Sequence, residues 1–313
     1  MGTSTIAISQ ATRQGHDGWA IVTSLVLNGI SSCHTRRAYG QALEEFLIWF
    51  QDEPGRVFNK ASFQEYRTEL QTKGLAPSSI NVRLSAIRRL AREAADNGLI
   101  ASELAAGIER AKGVRQCGVR LGHWLTAEQA EQLLSLPDLT SLKGNRDSAL
   151  LALLLGSGLR RSELVGLNVA HIQMRDERWL IADLVGKNGR MRTVPIPGWA
   201  SAAIVRWLAA AGIAAGPIFR GIRRYGEISD RPLSPQAVLS IVATYATRLH
   251  LAIRPHDVRR SFARLAHIGQ APIEQIQLSL GHASVVTTEI YLGVRQNLRD
   301  APCDHLGITP AIP

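Results

Sequence analysis

The sequence predicts a mainly α-helical protein of two domains, with one small antiparallel β-sheet in the second. Three observations carry this reading. At 313 residues the chain exceeds the usual size of one domain, and its 45 % hydrophobic composition is enough to build buried cores. Apolar residues recur at helical spacing along most of its length. Only between His171 and Ile196 does the period shorten to that of strands.

The first helix begins near Thr35, where Tyr39, Leu43, Phe46, Leu47 and Phe50 form one stripe and Pro54-Gly55 ends it. A second helix runs from Ser62 to Lys73 and stops at Gly74. Pro77-Ser78 opens a third, capped by Ser78 or Ser79, with Ile80, Leu84, Ile87, Ala91 and Ala94 on its apolar face. Its other face carries Arg83, Arg88, Arg89 and Arg92, and Asn97-Gly98 closes it. A short fourth helix passes through Leu104 and Ile108. The stretch 112–122 has three glycines and three basic residues but no acid, so it reads as a basic linker. The expected organisation is therefore a helical domain over 1–111, a linker over 112–123 and a second domain over 124–313.

Thr126 and Gln129 make a capping box that starts the second domain. The apolar segment from Arg146 to Leu155 is helical and stops at Gly156-Ser157-Gly158, and another helix starts near Ser162. Trp179 to Ile181 and Arg192 to Ile196 read as two strands joined by Gly186-Lys187-Asn188-Gly189, a hairpin with a lysine at its tip. The remainder, from Ser201 to Leu292, reads as helices broken at Gly, Pro and Ser.

The chain carries 36 basic and 26 acidic residues, a net charge of +10, and 31 of the basic residues are Arg. This points to a polyanionic partner. The charge is uneven: residues 1–110 hold 12 basic and 11 acidic residues (+1), and residues 111–313 hold 24 and 15 (+9). Cys33, Cys117 and Cys303 lie far apart without CxxC spacing, which argues against a disulfide framework or a zinc site and for a reducing cytoplasm. The N-terminal residues lack the charged start and apolar run of a signal peptide. The most apolar window, Trp199 to Phe219, contains Arg206, two glycines and a proline, and reads as a buried Ala-rich helix rather than a membrane span.

Four segments of the second half stand out: Gly158-Leu159-Arg160-Arg161-Ser162-Glu163-Leu164, the hairpin tip with Lys187, Arg254-Pro255-His256-Asp257-Val258-Arg259-Arg260, and Leu280-Gly281-His282 followed by Tyr291. Taken singly, each has a structural explanation. Arg160 and His282 suit helix caps, Lys187 a solvated turn, His256 with Arg259 a surface pair, and Tyr291 a core aromatic. Taken together and in order, they resemble the tyrosine recombinases, or phage-integrase family, whose fingerprint is G-L-R-x-S-E-L, a hairpin Lys, H-x-x-R, L-G-H and a Tyr. The segment from Ser78 to Arg88 is similar to that family's core-binding domain, so the resemblance runs from about Gly29 to Tyr291.

The resemblance implies a SAM-like helical core-binding domain followed by an α+β catalytic domain, closed as a clamp around duplex DNA. It implies site-specific recombination by transesterification through a 3′-phosphotyrosine, with neither metal nor ATP. Tyr291 is the implied nucleophile, Arg160 and Arg259 the phosphate clamp, His256 the base, Lys187 the acid on the 5′-oxygen, and His282 a donor to the phosphate. Glu163 and Asp257 are the expected partners that orient the arginines. Arg83, Arg88, Arg89, Arg92, Lys112, Arg115 and Arg120 are the expected DNA contacts, against the simpler reading of a solvated helix face and linker. Arg220, Arg223 and Arg224 form a further basic cluster in an expected loop. The implied partners are a double-stranded DNA site and other copies of the chain, as a tetramer on two sites, with a partner recombinase or accessory protein as an option; no membrane is expected. The implied location is the cytoplasm, at the bacterial nucleoid. The pattern is that of the compact two-domain Xer-like type, with no extra arm-binding domain, and a C-terminal helix within 293–306 is weakly signalled. Two alternatives share these residues: a type IB topoisomerase-like relaxation of arbitrary duplexes, and a DNA-binding relative that no longer cleaves.

Overall fold

The computed structural model describes residues 15–115, 123–186 and 189–292. The chain divides into two compact units, Met1–Val119 and Arg120–Pro313, each with its own hydrophobic core. The first unit contains α1 (Gly15–Asn28), α2 (Cys33–Gln51), α3 (Lys60–Thr72), α4 (Pro77–Asp96) and α5 (Ser102–Arg110). α4 is its centre and packs on all four of the others. Its buried stripe of Ile80, Leu84, Ile87, Leu90, Ala91 and Ala94 follows the helical period. Phe46, Trp49, Phe50, Phe58 and Tyr66 form an aromatic cluster between α2 and α3.

Two local expectations need correction here. The first helix is α1, not the one beginning near Thr35. Gly15, Gly18 and several β-branched residues weaken its propensity, and burial of Val22 and Val26 on the neighbouring helices supplies what propensity lacks. Neither Ser78 nor Ser79 caps α4. The cap is Ala76, because Pro77 occupies the first helical position, where its missing N–H loses nothing.

The second unit contains α6 (Ala127–Ser135), α7 (Leu142–Ser157), α8 (Arg161–Val165), β1 (Ile172–Arg175), β2 (Arg178–Val185), β3 (Met191–Pro195), α9 (Gly198–Ala211), β4 (Arg220–Ile222), β5 (Ile228–Pro232), α10 (Pro235–Arg248), α11 (Pro255–Ile268), α12 (Ile273–Leu280) and α13 (Val285–Leu292). α7 is buried on every side, which its apolar sequence requires, and packs against α6, α8, α9 and α11. The Thr126–Gln129 capping box opens α6 as read from the sequence. No described helix is long and apolar enough to cross a membrane.

Among its described residues the unit holds two small antiparallel sheets where one was expected. β1–β2–β3 form the first, and β1 was not foreseen because its turn to β2 is Asp176-Glu177, both at positive φ, without the usual Gly signal. β4 and β5 form the second, where only helices were expected. Their ladder is two short runs either side of Tyr225-Gly226; of the expected loop cluster, Arg223 and Arg224 lie in the connecting loop and Arg220 on β4.

Candidate active site

α7 ends at Gly158, whose φ of +58° is the left-handed conformation that closes a helix. The chain restarts two residues later as α8, with Arg160 at the N-cap position. Glu163, three residues on, accepts the Arg160 backbone N–H at Oε2 (2.8 Å) and the Arg160 Nη1 at Oε1 (2.7 Å). The Gly-x-Arg-x-x-Glu spacing therefore does two things. It breaks the helix and it aims a carboxylate back at the arginine.

The same carboxylate holds a second guanidinium. Arg192, on β3, donates from Nη1 to Oε1 (3.0 Å) and from Nη2 to Oε2 (2.8 Å), and from Nε to the Ser279 carbonyl (3.0 Å). A third, Arg259 on α11, lies 3.8 Å from Oε2. Arg259 is 1 % exposed and donates to the Gly158 carbonyl (2.6 Å) and the Leu280 carbonyl (2.5 Å). One carboxylate thus ties together the α7–α8 junction, the β2–β3 hairpin, α11 and the end of α12. Gly281, at φ +63°, follows at that end; a Cβ there would lie 3.0 Å from the Arg192 side chain.

Burial alone would raise the Glu163 pKa, but the hydrogen bonds from Arg192 and Arg160 outweigh it and keep the carboxyl ionised below its ordinary value. Three guanidiniums against one carboxylate leave positive charge to spare, which suits an anion. His256 sits on α11 one turn before Arg260, and burial of its ring plus Arg260 and Arg259 lower its pKa. His282 follows α12, and its Nδ1 lies 3.0 Å from Thr288 Oγ1. Burial, then Arg259, Arg160, His256 and Arg192, push His282 down to about 4. Both imidazoles are therefore neutral at pH 7, able to take up a proton or to donate from one nitrogen.

Arg160, Arg259, His256 and His282, read from separate segments, are thus brought together. Tyr291 lies on α13, three residues after Thr288; its side chain lies outside the described residues, as do Lys187 and Arg120. The hairpin that carries Lys187 is closed by Gly186 N–H donating to the Arg190 carbonyl (2.7 Å). Asp257 accepts the Arg254 N–H (2.9 Å) in the capping box of α11 and lies 4.0 Å from Arg260.

The four arginines of α4 are engaged within their own unit. Arg83 pairs with Glu45 (2.8 Å) and Arg92 with Glu109, while Arg89 donates to the Gly29 carbonyl (3.0 Å). Arg88 donates to the Ala111 carbonyl (2.7 Å) and lies over the Phe63 ring. Lys112 and Arg115 are exposed, and the Lys112 carbonyl accepts from Arg67 (3.0 Å). The start of the expected linker is pinned as well: Asn81 exchanges two hydrogen bonds with the Val114 backbone, both 2.9 Å.

The sequence pattern of the phage integrase family matches residues 123–297, and that of the phage integrase N-terminal SAM-like domain matches residues 23–98. The chain belongs to the phage integrase family, as a tyrosine recombinase of the Xer type. Tyrosine recombinase XerC of Xylella fastidiosa strain 9a5c is 34 % identical over 266 residues, covering 83 % of this chain and 86 % of that protein. XerC of Pseudomonas entomophila strain L48 is 32 % identical over 267 residues, covering 83 % and 85 %. The fold is that of solved recombinases. XerH site-specific recombinase bound to a palindromic difH substrate, a post-cleavage complex, superposes with TM-score 0.69 at 18 % identity, over 82 % of this chain and 76 % of that one. A lambda integrase dimer bound to a COC′ core site gives 0.68 at 17 % identity, over 95 % and 79 %.

For this tyrosine recombinase, sequence reasoning passed over two residues of the cluster. Arg192 was read only as a strand residue, although its place five residues past the hairpin lysine was visible. Thr288 gave no signal: it is a helical threonine like several others, and only its complete burial against His282 distinguishes it.

Proposed function

We propose that the chain cuts and rejoins duplex DNA at a specific site, with each role carried by the residue that matches the family pattern. The Tyr291 phenol attacks the scissile phosphorus. The P–O5′ bond breaks, a 3′-phosphotyrosine forms and a 5′-hydroxyl leaves. His256 takes the phenol proton and Lys187 supplies one to the departing 5′-oxygen. Arg160 and Arg259 stabilise the charge that builds on the non-bridging oxygens, and His282 donates to one of them. The bond energy is kept in the ester, so the reverse attack by a 5′-hydroxyl reseals the strand.

The observation that carries this reading is the gathering of Arg160, Arg192 and Arg259 on Glu163, beside two neutral imidazoles and ahead of the helix that bears Tyr291. Exchange between two duplexes needs four strand cuts, and one tyrosine per chain makes a tetramer on two sites the matching assembly. The surplus charge of the second half and the exposed Lys112 and Arg115 support backbone contacts; the helix-face arginines reach DNA only by exchanging their present partners. A cytoplasmic, nucleoid-bound location accords with a DNA substrate. A recombination site nicked beside the scissile phosphate tests the reading, because the short 5′-hydroxyl strand diffuses away and traps the ester. The wild-type chain should accumulate a covalent adduct and Tyr291→Phe none; an adduct in Tyr291→Phe overturns the assignment.

A further inference from the structure

We infer that Thr288 is a positioning residue whose hydroxyl donates to Nδ1 of His282 and so fixes the imidazole as the tautomer with its proton on Nε2. Thr288 is completely buried, and its Oγ1 lies 3.0 Å from His282 Nδ1. A buried hydroxyl hydrogen needs an acceptor. Four helical threonines elsewhere, Thr68, Thr72, Thr244 and Thr247, give theirs to the carbonyl four residues back. The corresponding carbonyl for Thr288 belongs to Ser284, which accepts the Thr287 backbone N–H (3.1 Å) and, among the described contacts, no hydrogen bond from the Thr288 hydroxyl. Among the described contacts, the Thr288 hydroxyl meets the ring nitrogen.

The two directions of this hydrogen bond are not equivalent. If Nδ1 carried the proton, the hydroxyl would accept it and its own buried hydrogen would lack a partner. If the hydroxyl donates, its buried hydrogen meets the Nδ1 lone pair and the contact is matched. A doubly protonated ring is disfavoured first by burial and then by Arg259, Arg160, His256 and Arg192 around it, which lower its pKa to about 4. The neutral ring then carries its proton on Nε2, the nitrogen away from Thr288. This rests on the proposed role of His282, for which an Nε2–H is the donor a phosphate oxygen requires; the other tautomer would present a lone pair to an anion. Thr288 is also three positions before Tyr291 on α13, so the same hydrogen bond ties the helix of the nucleophile to the segment that carries His282.

The test uses the full-length chain labelled with ¹⁵N-histidine, with His282 assigned by its loss in His282→Asn. Long-range ¹H–¹⁵N correlation reads which ring nitrogen holds the proton. Wild type and Thr288→Ser should show the Nε2–H tautomer, whereas Thr288→Val, equal in shape but without the hydroxyl, should show a mixture. Single-turnover cleavage should fall by about tenfold in Thr288→Val, the size of one lost hydrogen bond, and recover in Thr288→Ser. A proton on Nδ1 in the wild type, or an unchanged ring in Thr288→Val, overturns the inference. Wild-type cleavage by His282→Asn refutes the role of His282 instead, and the tautomer spectra still decide that of Thr288.

Discussion

Glu163 is nearly buried and accepts hydrogen bonds from Arg160 and Arg192, with Arg259 behind them. Removing it leaves three guanidiniums facing one another without a counter-charge. Glu163→Ala should therefore lose about 3–5 kcal/mol of stability, measured by urea unfolding, the range seen when one partner of a buried ion pair is deleted. The histidines set a pH dependence. His282 has an ordinary pKa of 6.5 and a folded value of about 4, so between these the unfolded chain binds the extra proton. Stability is complete above about pH 6.5 and falls as the pH drops toward 4; His282→Asn should flatten that loss. At this scale Arg160, Arg259, His256 and His282 were legible because each sits in a local motif. Arg192 was not, because its meaning lies in a bond to a residue 29 positions away.

Gly158 joins two elements and also supplies a carbonyl to Arg259. Its positive φ disfavours any side chain, and a Cβ there would lie 2.4 Å from the Phe262 ring on α11. Gly158→Ala should cost at least about 1 kcal/mol from the backbone alone, with more from displaced Phe262, and should slow cleavage by shifting Arg259. Thermal unfolding and single-turnover kinetics check the two parts. Helices with a strong stripe, such as α2 and α4, were readable from the sequence. α1 and the strands β1, β4 and β5 were not: burial against neighbours decides α1, the β1–β2 turn has no glycine, and β4 and β5 are too short, at three and five residues, to show a period. The hairpin β2–β3 was readable because Gly186 and Gly189 bracket its tip.

The net charge of +10 divides as +1 for residues 1–110 and +9 for residues 111–313. The chemistry uses few of those charges, so most should act as grip on phosphates. Affinity for a recombination site should then fall steeply with salt, by about 10³–10⁵ between 50 and 200 mM if six to ten phosphates are contacted. Arg115→Ala should lower the slope of log K against log salt by about one, without changing which sequence is preferred. A binding titration that is flat in salt would place the charge elsewhere than on DNA. The division into a nearly neutral and a basic half was plain from the sequence, but it says nothing of which arginines are already occupied. Arg83 and Arg92 have carboxylate partners that only the folded unit brings within reach. The most direct test of the whole account is the residue that becomes linked to DNA. The chain has five tyrosines, and Tyr225, 91 % exposed on the β4–β5 hairpin, is the most accessible described alternative. Protease digestion of the trapped adduct, followed by mass spectrometry, should find the nucleotide on the peptide containing Tyr291; a nucleotide on Tyr225 or any other residue would contradict the account.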